Sequence, residues 1–215
     1  VRSAAPGPSP LEAEIRAFVE ADRATPPVPG GILFVGSSIF RQWTNATQVM
    51  APLPVVNRAF GGSHTGDQLA RFDQVVRPCS PKVIVYYCGS NDLNAKTPDK
   101  PEVIFGRFRE FSGLVRAMWP TTRIIFVSAT RSPDRVARWE QVDHYNALVH
   151  AYCAATPLHT FIDINPALVD VDGRPRLELY KPDKLHFYPP AYVEFTAIIR
   201  PVLTRVWNEA AASPP

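Results

Sequence analysis

Two adjacent serines, Ser37 and Ser38, stand in FVGSSIFRQW (34–43), where an apolar run gives way to an amphipathic segment. A serine hydroxyl is a poor nucleophile until a base takes its proton, so the rest of the chain must supply that base, a group to orient it, and donors for a developing negative charge. The stretch DKLH carries Asp183 and, three residues on, His186. At that spacing both side chains can meet within one loop or helical turn. A carboxylate that accepts from imidazole Nδ1–H fixes the tautomer and stabilises the imidazolium. Two more stretches, FGGS with Gly61 and Gly62 and GSND with Asn91 and Asp92, add flexible backbone and a side-chain amide. Without a Cβ, a glycine lets the backbone approach a ligand closely. Each piece alone has a plainer reading. Ser38 could cap a helix, Gly62 could serve a turn, Asn91 could form an Asx-turn, and Asp183 and His186 could be a loop Asp and a surface His.

The elements around these residues are legible from periodicity. Five apolar, β-branched or aromatic runs read as strands: 32–36, 54–60, 82–89, 123–129 and 160–164. The third and fourth are nearly continuous in apolar character, as strands covered on both faces of a parallel sheet are. Segments with helical spacing lie at 11–23, 65–76, 101–119, 135–155 and 189–210, with Thr65 a candidate N-cap, Pro101 suited to a first turn and Pro201 placed to bend the last helix. Alternating strand and helix along the whole chain argues for one doubly wound α/β domain over 1–215, with 1–10 and 211–215 expected to be flexible. In such sheets ligands bind beyond the carboxyl ends of the strands. Gly36-Ser37-Ser38, Gly61-Gly62 and Gly89-Ser90-Asn91-Asp92 each follow a strand, and Asp183–His186 precedes the last helix.

FVGSS, FGGS, GSND and DKLH, in that order from residue 34 to residue 186, resemble the four blocks of the SGNH, or GDSL-like, hydrolases. Each block alone says little; four in order, each at the right end of its element, say much more. The resemblance implies a flavodoxin-like three-layer α/β/α sandwich with a five-stranded parallel sheet. It also implies ester hydrolysis through a Ser-His-Asp triad with neither metal nor other cofactor. The nucleophile position falls on Ser38, with His186 as base and Asp183 as its orienter. Ser37 stands where the family has Asp, so any role resting on a carboxylate there is open. The oxyanion donors implied are the Ser38 and Gly62 backbone N–H groups and the Asn91 side-chain amide, with Asp92 holding its loop. The Gly-x-Ser-x-Gly elbow of another hydrolase fold does not fit, because position 40 is Phe.

The expected activity is cleavage of short-chain esters, acetyl above all, with carbohydrate acetyl esters among the substrates. The alternatives are a lipase or lysophospholipase acting on longer chains, and a catalytically silent binding module on the same fold. Trp43, Phe60, Phe187 and Tyr188 neighbour the blocks and are candidates to line an acyl or alcohol pocket, although core packing is the usual fate of aromatics. Arg131 and Arg135 follow the fourth strand and could favour acidic substrates at the rim; a solvated helix start is the plainer reading.

The rest of the composition narrows the field. The net charge of +3 comes from scattered arginines, not the concentrated basic patch of a nucleic-acid binder. No apolar run reaches the length of a membrane span. Cys79, Cys88 and Cys153 leave at least one thiol free. Cys79 and Cys88, at the two ends of extended chain, would lie roughly 30 Å apart, too far for a disulfide. His64, His144, His150 and His159 make no metal-binding spacing. VDVDGRPR (169–176) reads as an Asp-Gly turn, because its Gly comes too early for a calcium loop. The opening VRSAAPGPSP is rich in small residues, as a segment left after signal cleavage would be; the reading leans to an exported protein, periplasmic or secreted, with cytoplasmic the alternative.

Overall fold

β-branched and aromatic residues build the centre of the molecule. In the computed structural model, which describes residues 9–212, the strands are β1 (Ile32–Gly36), β2 (Val55–Asn57), β3 (Val83–Tyr87), β4 (Arg123–Val127) and β5 (His159–Ile162). All pairings are parallel, in the order β2-β1-β3-β4-β5. This is the flavodoxin-like arrangement, in which the chain reverses its direction of winding between β1 and β3 and opens a crevice at their carboxyl ends.

The helices are α1 (Pro10–Ala24), α2 (Ser38–Arg41), α3 (Ala46–Met50), α4 (Thr65–Ala70), α5 (Phe72–Val75), α6 (Ser90–Asn94), α7 (Pro101–Met118), α8 (Trp139–Ala155) and α9 (Pro189–Ala212). Side chains alternate across each strand, so the sheet has two apolar faces. Phe34, Val85, Tyr87, Ile125 and Val127 pack with Phe40, Trp43, Phe195 and Ile199 of the α2, α3 and α9 side. Leu33, Val35, Ile84, Tyr86 and Phe126 pack with Ile15, Phe72, Phe108, Phe111 and Tyr145 on the side of α1, α5, α7 and α8. Burying one such side chain is worth about 1.5–3 kcal/mol relative to leaving it exposed, and the continuous burial of β1 and β3 explains their unbroken apolar character.

Several element ends differ from expectation, for local reasons. β2 stops at Asn57 because its side chain turns back on the chain: Nδ2 donates to Phe40 O (2.8 Å) and Oδ1 accepts from Ala59 N–H (3.1 Å). The segment 65–76 is two short helices broken at Arg71. His64, not Thr65, is the cap residue of α4, with its N–H donating to Asp67 (2.8 Å), because the Thr65 hydroxyl is engaged by Asp92 instead (2.6 Å). Residues 133–138 form a 3₁₀ segment before α8 begins at Trp139. α9 carries Pro201 in its interior.

Of the termini expected to be flexible, residues 1–8 and 213–215 lie outside the described residues. Ser9 caps α1 through Glu12 N–H (3.3 Å), Pro10 begins that helix, and Ala211–Ala212 belong to α9. The three cysteines are free and buried. Desolvation raises all three thiols, Cys153 to about 12, which suits structural roles. The 169–176 segment is a turn in which Asp170 accepts from Asp172 and Arg174 N–H groups. Among the described residues no helix is long and apolar enough to cross a membrane.

Candidate active site

The crevice between β1 and β3 begins with Gly36. Its φ is +146°, and a Cβ there would lie 1.9 Å from the Tyr87 carbonyl oxygen, so a side chain is excluded. Ser37 N–H donates to that same carbonyl (3.0 Å). The chain then turns into α2 at Ser38. Ser37 is buried, while Ser38 is partly open. The two hydroxyls therefore have unequal access to solvent.

The other half of the site comes from the loop before α9. Tyr180 and Phe187 close it as an antiparallel bridge, and Lys181 N–H donates to His186 O (2.7 Å). Lys184, between Asp183 and His186, adopts a left-handed conformation (φ +49°), which a non-glycine residue holds only where its surroundings require it. Ser132 Oγ donates to its carbonyl oxygen (2.8 Å). The reversal brings the Asp183 carboxylate to the His186 ring, Oδ2 to Nδ1 at 2.7 Å. The opposite ring nitrogen, Nε2, lies 2.9 Å from Ser38 Oγ. Asp183 Oδ1 also accepts from the backbone N–H groups of Leu185 (3.0 Å) and His186 (2.9 Å). Burial pushes the Asp183 carboxyl up, but donation from the His186 ring and these two N–H groups outweighs it and holds the pKa at about 2. The carboxylate is thus fixed as an acceptor across ordinary pH.

Gly62 sits in the turn after β2 with φ +71° and open space where a Cβ would be. Next to it, Ser63 is fully buried, and its hydroxyl lies 3.3 Å from Gly36 O and 3.0 Å from Phe60 O. Asn91 Nδ2 donates to Ser63 O (2.9 Å). An amide nitrogen carries two donors, so this bond orients the group and leaves one hydrogen for another acceptor. Asp92 is buried and accepts from Thr65 N–H and Oγ1–H and from Arg107 (3.2 Å), tying the loop after β3 to α4 and α7. Desolvation raises its pKa against the Thr65 bonds. Tyr87 hydroxyl, between Ser90 (2.9 Å) and Thr130 (3.0 Å), braces the same loop from below.

The aromatic candidates divide. Trp43 and Phe187 line a cavity of about 330 Å³ with Gln42, Lys181 and Tyr192. Phe60 is fully buried in the core on the other face of the sheet, where its apolar ring is best satisfied, and Tyr188 is exposed. Arg131 is paired bidentately with Asp143 (2.7 Å each) and stacks on Trp139, so its charge is already matched. Arg135 donates to Asn94 O (3.0 Å). The sequence did not mark Ser63 or Tyr87, and it marked Thr65 only as a helix cap, not as a partner of Asp92. Ser63 stands inside FGGS and could have been singled out there; the other two act through partners that no local pattern reveals.

Comparison with known proteins agrees with this fold. The chain is 24% identical over 181 residues to platelet-activating factor acetylhydrolase IB subunit alpha1 of Rattus norvegicus, an alignment spanning 81% of this chain and 75% of the relative. Its fold is similar to that of a GDSL-like lipase from Bacteroides thetaiotaomicron (TM-score 0.76, 20% identity, 90% of this chain and 98% of the other). It is similar also to a carbohydrate esterase family 3 protein from Talaromyces cellulolyticus (TM-score 0.66, 15% identity, 84% and 99%). Residues 34–192 match the family model, and the chain belongs to the GDSL-like lipase/acylhydrolase family of carboxylic ester hydrolases.

Proposed function

We infer that the protein hydrolyses short-chain esters, acetyl esters above all, through an acyl-enzyme on Ser38. The observation that carries this reading is the unbroken line of contacts from Ser38 Oγ through His186 to Asp183, at 2.9 and 2.7 Å. As Ser38 Oγ attacks the ester carbonyl, His186 Nε2 takes its proton. Asp183 accepts from Nδ1–H, holds the tautomer and stabilises the imidazolium. The negative charge on the carbonyl oxygen falls to the Ser38 N–H, the Gly62 N–H and the Asn91 amide. Ser38 is the first residue of α2, so the helix itself gives its N–H no partner. One such donor is worth roughly 3 kcal/mol in the transition state. The alcohol leaves with the proton from His186. Water, activated by the same ring, then releases the acid and restores Ser38.

The names of similar proteins support a small acyl group. The relatives include a protein described as an acetylhydrolase and a fold neighbour described as a carbohydrate esterase, which supports acetylated carbohydrate as a substrate class. The test is a series of p-nitrophenyl esters from acetyl to palmitoyl alongside acetylated oligosaccharides. The reading expects kcat/KM to be highest for acetyl and to fall with chain length. A maximum at long chains would make the protein a lipase, and no turnover of any ester would make it a binding module.

A further inference from the structure

The turn that presents Gly62 is held by a residue outside the family match. Its flanks are pinned to β1, Phe60 N–H to Gly36 O (3.0 Å) before it and Ser63 Oγ to the same carbonyl (3.3 Å) after it. Between them, Gly61 N–H donates to Glu14 Oε2 (3.0 Å), a residue of α1 that is 47 positions earlier in the chain. The other carboxylate oxygen, Oε1, takes Arg41 Nε at 3.0 Å. Arg41 is the last residue of α2, the helix that starts with Ser38. One carboxylate thus joins the helix of the candidate nucleophile to the turn of a candidate oxyanion donor. The fit is close: a Cβ on Gly61 would lie 3.3 Å from Glu14 Oε1 and 3.4 Å from Arg41 Cδ.

A negative charge is an unexpected neighbour for a site that must stabilise negative charge. It raises the energy of an oxyanion unless a cation compensates it. Arg41 is that cation. Its side chain is half exposed while that of Glu14 is mostly buried (51% against 21%), and as a contribution to overall stability such a pair counts for little. Its effect is local. α1 can carry the carboxylate because it is fastened elsewhere, through Glu12 to Arg71, Asp22 to Arg58 and the buried Ile15.

We propose that Glu14 is a positioning residue for the oxyanion hole, setting the Gly61–Gly62 turn against α2, and that Arg41 neutralises its charge toward the transition state. This rests on the assignment of Ser38 and Gly62 made above.

The test compares kcat and KM of the full chain on p-nitrophenyl acetate. Glu14→Ala leaves Gly61 N–H without its acceptor, and kcat should fall about tenfold with KM within about twofold, as for a misplaced rather than missing donor. Glu14→Gln keeps an acceptor oxygen and should recover to within about threefold of the parent. Arg41→Gln leaves the carboxylate uncompensated and should cost about fivefold. Adding E14Q to it should raise kcat back to the E14Q level, a coupling that independent sites do not show. Glu12→Gln weakens an anchor of α1 without touching the turn, so kcat should hold. The proposal is overturned if E14Q is no better than E14A, if the double variant is no better than R41Q, or if E12Q loses as much kcat as E14A. Ser38→Ala, run in parallel, separates the two levels. Turnover surviving in S38A removes the site assignment beneath the proposal, whereas an inert S38A with unresponsive Glu14 variants removes the proposal alone.

Discussion

His186 Nε2 stands 2.9 Å from Ser38 Oγ although 148 positions separate the two residues. The distance is that of a hydrogen bond already formed, so on the mechanism proposed the base is in place before substrate arrives. Removing either partner should therefore remove chemistry without removing the fold. His186→Ala is expected to lower kcat on p-nitrophenyl acetate by about 10³-fold or more, with an unchanged circular dichroism spectrum. A loss of less than about tenfold would show that another group takes the proton.

Asp183 should reveal itself by its own titration. Its carboxyl is held at about 2, below the ordinary value of about 3.9. A depressed folded-state pKa contributes stability that is fully present above about pH 4 and is lost as pH falls through about 2. Half of the side chain is exposed, so solvent screens the contribution and it should be small. Carbon-detected NMR of the carboxyl should show its inflection near 2; an inflection near 4 would contradict the hydrogen bonding described. Asp183→Asn should in addition lower kcat by about 10³–10⁴-fold, because the amide favours the wrong imidazole tautomer.

Asn91 should act on rate more than on binding. One hydrogen of Nδ2 is committed to Ser63 O, which fixes the direction of the other. Asn91→Ala should cost about 10²-fold in kcat with little change in KM, the pattern of a donor that matters only in the transition state. A rise in KM at constant kcat would assign the side chain to ground-state binding instead.

Asp92 should matter to stability. It is buried and accepts from Thr65 N–H, Thr65 Oγ1–H and Arg107. Asp92→Ala strands the two Thr65 donors, while Arg107 keeps Asp99, at a cost of about 3 kcal/mol. For a chain of this size the loss should lower Tm by roughly 6–12 °C. Differential scanning calorimetry checks it; an unchanged Tm would mean that water replaces the carboxylate freely.

How much of this could be read beforehand followed from the range of each interaction. The strand cores were legible because burial on two faces leaves an apolar run, as in Val83–Tyr87. Gly36-Ser37-Ser38 and Asp183–His186 were legible because each is a local pattern with a chemical reason. The end of β2 was not, since it depends on Asn57 reaching Phe40. Nor was the break at Arg71, where neither glycine nor proline marks the boundary between α4 and α5. Phe60 shows how little proximity in sequence decides: it adjoins a site block, and its ring lies in the core, the usual fate of an aromatic. Glu14 was beyond reach altogether, because its role exists only through Gly61 and Arg41, brought to it by the fold.

The choice between the two serines is the centre of the account, and covalent labelling decides it most directly. The protein is treated with a fluorophosphonate, digested, and the adduct on FVGSSIFRQW located by tandem mass spectrometry. The partly open Ser38, in contact with His186, should carry the whole adduct, and labelling should vanish in Ser38→Ala and His186→Ala while persisting in Ser37→Ala. An adduct on the buried Ser37, or labelling that survives in Ser38→Ala, would contradict the account.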